Sequence, residues 1–200
     1  MALNSYDNLK ISIADWLARK DLDKHIPDFI TMAEATLNNN RDFRIDDMVC
    51  KLTATVSGTE IAIPADYLGM RYLRIDGGAP LKQVSPEVMQ GYKADGCTSS
   101  ARVSYVHLGR RIEVYPEISE AEMSLFYYQK IPALSDTNQN NWLLARDPNI
   151  YIFGALLEAT QFMKNDERVQ LWMQRYAGSV DNLVASDKRD RWSGPMEVSL

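Results

Sequence analysis

Few side chains in this chain stand where their chemistry could be put to work. The two histidines, His25 and His107, are isolated, and the two cysteines, Cys50 and Cys97, belong to no ligand pair. A metal site needs several such ligands converging. Asp46 with Asp47, and Glu120 with Glu122, are paired carboxylates. Neighbouring acids, however, read more readily as a solvated loop than as an acid-base couple. The sequence holds no G-x-S-x-G elbow, no Walker loop and no G-x-G-x-x-G turn, so nucleophilic, phosphoryl-transfer and dinucleotide chemistry lack their minimal parts. The reading is of a protein that is not an enzyme and uses neither metal nor cofactor.

Three places suggest contact instead. Glu158 lies in the most apolar stretch of the chain, where a lone carboxylate is costly unless it is paired or at a wet edge. It has an intramolecular partner such as Arg146 or Lys164, is simply exposed, or meets a neighbouring subunit. Gly109, Arg110 and Arg111 form either a solvated hairpin tip or a positive point on an acidic surface that meets a partner. After Asp187 come Lys188, Arg189, Asp190, Arg191, Trp192, Ser193, Gly194 and Pro195. Trp and Arg are frequent binding anchors, and chain ends are frequently disordered.

The elements that position these residues follow from periodicity. Tyr6, Leu9, Ile13, Trp16 and Leu17 recur at helical spacing behind Asn4, a possible cap. Ile26, Phe29, Ile30, Ala33 and Leu37 make a second stripe that opens at Pro27 and ends at Asn38–Asn40. From Val49 the period becomes two, and Ser57–Gly58 reads as a hairpin turn before Glu60–Ile63. Met70–Asp76, Arg102–Leu108, Arg111–Tyr115 with a stop at Pro116, and Met123–Lys130 are further strands, with a short helix from Ser85–Pro86–Glu87 to Gly91 or Asp95. Asp147–Pro148 opens a helix to Met163 that is apolar nearly all round, and a fourth runs from Asn165–Asp166 to about Asp187. The fold class is α+β: helices at about 5–40 and 147–187 close into a four-helix bundle, with an antiparallel β insertion at about 48–130. Residues 1–187 then form a single domain, and 188–200 a C-terminal arm.

With 200 residues, 46% of them hydrophobic and 24% charged, the chain can bury a core unaided. Its net charge of −5 and pI near 5.1 have the wrong sign for gripping phosphates. No apolar run is long enough to span a bilayer. The polar N-terminus lacks signal-peptide character, which places the protein in the cytoplasm where it is made.

Several strings, in this order, resemble the head-to-tail adaptor (connector) proteins of tailed bacteriophages. They are Ile63–Leu68; Pro80–Leu81 with Val84–Glu87; Ile112–Pro116; Phe126–Leu134; Asn141–Leu144; and Asp147–Tyr151 with Gly154–Ala159. The resemblance covers about Asn4 to Asp187. It implies a bundle carrying a β domain, a homo-dodecameric ring under the portal protein, and a lower face that receives tail or nozzle proteins. It also implies a place in the virion neck after assembly in the host cytoplasm, a channel through which DNA passes without specific binding, and no cofactor or catalytic residue. On this reading the arm is mobile in the free subunit and orders against the portal through Arg189, Arg191, Trp192, Pro195 and Leu200, while Arg110, Arg111 and Glu158 serve subunit or tail contacts. Truncation after Asp187 should then leave the core's thermal unfolding nearly unchanged. The rival readings are another phage neck or tail-completion protein and, from a different class, a small intracellular hydrolase.

Overall fold

Ser5 opens the first helix: its hydroxyl accepts the N–H of Asn8, and α1 runs Tyr6–Leu17 with Tyr6, Leu9, Ile13 and Leu17 buried. Asn4 stands one residue too early to cap and instead accepts from the Asn8 side-chain amide at 3.0 Å. The computed structural model describes residues 3–96, 103–162 and 167–191. They divide into two compact units, Met1–Asp47 with Ile131–Leu200, and Met48–Lys130. The result is a mixed α+β protein with six α-helices and one five-stranded sheet among the described residues.

In the first unit, α2 (Ile26–Asn39) carries Pro27 in its first turn and buries the expected stripe. A short α4 (Trp142–Arg146), absent from the periodicity, is capped by Asn141, whose Oδ1 accepts the Leu144 N–H at 2.8 Å. Asp147 then caps α5 (Pro148–Ala159). This helix is buried on all sides because α1, α2 and α6 (Val169–Arg191) all pack against it. At Gly154 the approach is so close that a Cβ would lie 3.1 Å from the Ala33 Cβ and 3.2 Å from the Tyr176 ring.

Buried Glu34 ties the 131–141 loop to this core. Its Oε1 accepts the Leu134 N–H at 2.9 Å and the Tyr151 O–H at 3.0 Å, and the Asn141 amide donates to both the Tyr151 hydroxyl and the Pro132 carbonyl at 2.7 Å. Burial raises the Glu34 pKa against the pull of these donors, and burial followed by the Glu34 charge raises that of Tyr151.

The second unit is built on a two-stranded ribbon. β1 (Val49–Ala62) lies antiparallel to β5 (Arg111–Gln129) along its length. Ser57–Gly58 is therefore no hairpin turn. Gly58, at φ 91°, occupies a register shift inside one continuous strand, because both halves of β1 find their partner in the same long β5. Pro116 likewise does not end its strand, since it falls between Glu113 and Ile118, where the β1 ladder is interrupted and asks for no N–H. The other edge of β5 takes β4 (Ser104–Leu108) near its start and β2 (Tyr67–Ile75) near its end. A two-residue β3 (Lys82–Gln83) adds to β4 in parallel, and Ser85 caps α3 (Pro86–Ala94). Tyr67, paired at the end of β5, has its ring 5.7 Å from His107, which is paired near the start. The ribbon has therefore folded over on itself, around Ile61, Leu73, Ile112, Val114, Met123 and Leu125.

Candidate interaction surfaces

The end of α6 is anchored where the sequence suggests a loose arm. Asp187, only 5% exposed, accepts the Asp46 N–H at 2.7 Å and is met by Arg191 Nη2 at 2.7 Å. Arg191 also pairs through Nε with Asp46 at 3.0 Å and donates to the Arg44 carbonyl at 3.2 Å. The guanidinium of Arg44 in turn holds the carbonyls of Asn38, Asn40 and Phe43. The helix consequently continues past Asp187, its expected end, to Arg191. The i, i+4 pair and the turn before β1 supply a partner for the last charged turn that periodicity does not register. Arg191 is committed inside the unit. Arg189 is exposed and, among the described residues, bonds only its own helix, at Ala185 O. Trp192, Pro195 and Leu200 lie outside the described residues.

Of the paired acids, Asp46 has Arg191 beside it and Asp47 pairs with Arg146, whereas Glu120 and Glu122 are exposed. Arg146 is thus not the partner of Glu158. That carboxylate, half-buried on α5, accepts from Thr36 Oγ1 at 3.3 Å, while Tyr176 nearby has its pKa raised by burial and by the Glu158 charge. Lys164 lies outside the described residues. At the β4–β5 turn Gly109 takes φ 62°, Arg110 is exposed without an ion pair among the described residues, and Arg111 pairs with Glu60 at 3.2 Å. Glu158, Arg189 and Arg191 belong to the first unit, and Arg110 and Arg111 to the second.

Periodicity marked as core several residues that the structure leaves exposed. Trp16, on the expected stripe of α1, is 45% exposed, and Met173, which continues the helical period of Val169, Trp172 and Tyr176 on α6, is 52% exposed. Ile11, Met32, Phe162 and Leu171 join them on the helical unit. Trp16, Phe153, Leu171 and Arg175 border a cavity of about 290 Å³ between α1, α5 and α6. Exposed apolar residues scattered singly are ordinary; Trp16 and Leu171 are the two that meet at one cavity. Among the described residues no group of three or more His, Cys, Asp or Glu could hold a metal ion, and no helix is long and apolar enough to cross a membrane.

The profile of the SU10 adaptor protein family matches residues 4–199. The chain belongs to the SU10 adaptor protein family. No curated protein matches it. As a phage adaptor it is a structural protein, and the family match extends through the end of α6 and beyond, past Asp187 where the sequence resemblance thins.

Proposed function

We propose that this SU10 adaptor protein is one subunit of a dodecameric ring in the virion neck, docked beneath the portal, where it extends the DNA channel and offers a platform to tail or nozzle proteins. The observation that carries the reading is the family match over residues 4–199. The exposed Trp16, Met32, Leu171 and Met173 support it, because a ring subunit must bury two flanks against its neighbours. The net charge of −5 supports the passage of DNA without specific binding, since like charge does not hold the polymer. The four long helices then work as a bundle that carries the β unit, in one adaptor that assembles in the host cytoplasm and needs no cofactor.

In this reading the portal contact is made by the C-terminal arm, through Arg189, Trp192, Pro195 and Leu200, with Arg191 fixing its root. Arg110, Arg111 and Glu158 serve neighbouring subunits or the tail. Electron microscopy of tail-bearing particles tests the ring: a twelve-fold collar containing this chain is expected, and a single copy per particle refutes it. Trp192→Ala tests the arm. It should weaken binding to isolated portals by about 2 kcal/mol, as loss of an aromatic anchor does, and undiminished binding moves the contact onto the helices.

A further inference from the structure

One side of the β1 backbone has no strand beside it. From Val49 opposite Tyr128 to Val56 opposite Ala121, β1 lies on β5 in unbroken antiparallel register. In such a ladder alternate residues turn their N–H and C=O away from the partner strand. On the other margin of β5 these groups are taken up by β4 and β2, and beyond β2 the Leu81 N–H bonds the Leu73 carbonyl at 2.7 Å. β1 has no such neighbour. Apart from a contact of the Cys50 thiol with the Lys51 carbonyl at 3.9 Å, its backbone over residues 49–56 bonds only to β5 among the described residues.

An open edge is a template for another chain, and proteins blunt it with proline, bulges, charge or shortness. Residues 49–56 hold no proline and no register shift, and Lys51 is their one charge. The two faces of this edge differ. Cys50, Leu52, Ala54 and Val56 pack against the β core yet stay half-buried, while the residues opposite them on β5, Tyr127, Leu125, Met123 and Ala121, are buried. The core layer is thus one strand short of full cover. Lys51, Thr53 and Thr55 are exposed on the other face. Lys51 lies over the Phe126 ring at 5.7 Å, and no carboxylate among the described residues pairs with it.

We propose that the open edge of β1 receives an extended segment of a partner protein, antiparallel to residues 49–56, with apolar residues beside Leu52, Ala54 and Val56 and a carboxylate opposite Lys51. In strand addition the main chain supplies affinity and alternate side chains supply specificity. Residues directly opposite each other share a face, so the inward positions of the added strand complete the cover of the core. Its outward positions set an acid against Lys51 and hydroxyls against Thr53 and Thr55, pairings that stabilise sheets. A second copy of β1 does not meet this need. Its exposed face runs Val49, Lys51, Thr53, Thr55 and offers no acid before the register shift at Gly58, so two β1 edges together leave each Lys51 without a carboxylate. A single cation is also a poor match for the charge density of a nucleic acid. The inference goes beyond the ring reading and does not depend on it.

The test uses the full chain and a capped, fluorescent peptide, Val-Thr-Val-Thr-Val-Glu-Val-Thr, which sets Glu opposite Lys51 when it lies antiparallel. Fluorescence anisotropy should show saturable binding, and amide hydrogen exchange should slow along β1. N-methylation of one set of alternate residues in the peptide should abolish binding, and N-methylation of the other set should spare it, because an added strand bonds along one edge only. Replacing the peptide Glu by Lys should weaken binding by about fivefold, the upper worth of a cross-strand charge pair. Lys51→Glu, at an exposed position, should reverse that preference. Absence of saturable binding to the unaltered protein overturns the proposal without recourse to a variant. Binding that is indifferent to both N-methylated sets is not strand addition, and equal binding of the Glu and Lys peptides removes the acidic partner; either result also overturns it. Protection of β1 that grows with protein concentration in the absence of peptide makes the edge a contact between copies, and overturns the proposed occupant.

Discussion

Chains ending at Asp187 and at Arg191 should differ sharply in stability, although they differ by only the last turn of α6. The shorter one lacks Arg191 and leaves Asp187, 5% exposed, with the Asp46 N–H as its one remaining polar contact among the described residues. Breaking a fully buried ion pair costs about 3–5 kcal/mol, whereas an exposed pair contributes about 0–1 kcal/mol. Here one partner is dry, the other is 27% exposed, and Asp187 keeps one donor. The loss should lie between those limits, at about 2 kcal/mol, which lowers a melting temperature by roughly 4–8 °C in a chain of this size. Thermal unfolding followed by circular dichroism compares four proteins: full length, the chain ending at Arg191, the chain ending at Asp187, and full-length Arg191→Ala. The first two should melt together and the last two lower, by similar amounts. If the chain ending at Asp187 melts with the full-length protein, the anchor contributes nothing and the end of α6 is as loose as its composition suggests.

Glu34→Gln keeps an acceptor for Leu134 N–H and Tyr151 O–H while removing the charge. Because burial raises the folded pKa of Glu34 above its ordinary 4.5, the folded protein holds the proton more tightly. Its stability therefore falls as pH rises from 4.5 through the raised value. Urea titrations across pH 4 to 7 should show the variant gaining on the wild type as pH increases, and parallel curves would falsify the assignment. Gly154→Val places branched carbons against Ala33 and Tyr176 and should cost the helical unit more than about 2 kcal/mol in denaturant unfolding; an unchanged midpoint counts against that close packing. Gly58→Val, at φ 91°, should destabilise the β unit by about 1–3 kcal/mol, and a neutral result means that the register shift can take another form. Mixed with duplex DNA at moderate salt, the protein should leave its mobility unchanged; a sequence-dependent complex refutes the passive-channel reading.

Much of this architecture was legible in the sequence. The stripes of α1, α2 and α5, the caps Ser85 and Asp147, and the β4–β5 turn are local signals, and local signals suffice for them. What was illegible depended on partners distant in sequence. Ser57–Gly58 has the composition of a turn and Pro116 that of a stop, and only the length of the opposing strand makes each an irregularity within one ribbon. Met173 fitted the helical period, yet α6 packs chiefly on α5, so its other faces stay wet. Arg191 looked like a free anchor because Asp46, its partner, is far away in the chain. For Glu158 the sequence left the partner open, and the structure supplies Thr36, a hydroxyl that no charge pattern singles out.

The clasp of Arg191 on Asp46 and Asp187 also bears on how force enters the protein. Tension applied to a tail leaving α6 could unzip a helix turn by turn from its neighbour, a failure that proceeds at low load because each step releases little. With the last turn riveted to the 44–46 segment, the pull is shared at once between α6 and the chain leading into β1. The contacts must then give way together in shear rather than one after another in peel. A fastening of that kind raises the load at which the end of the helix first gives way.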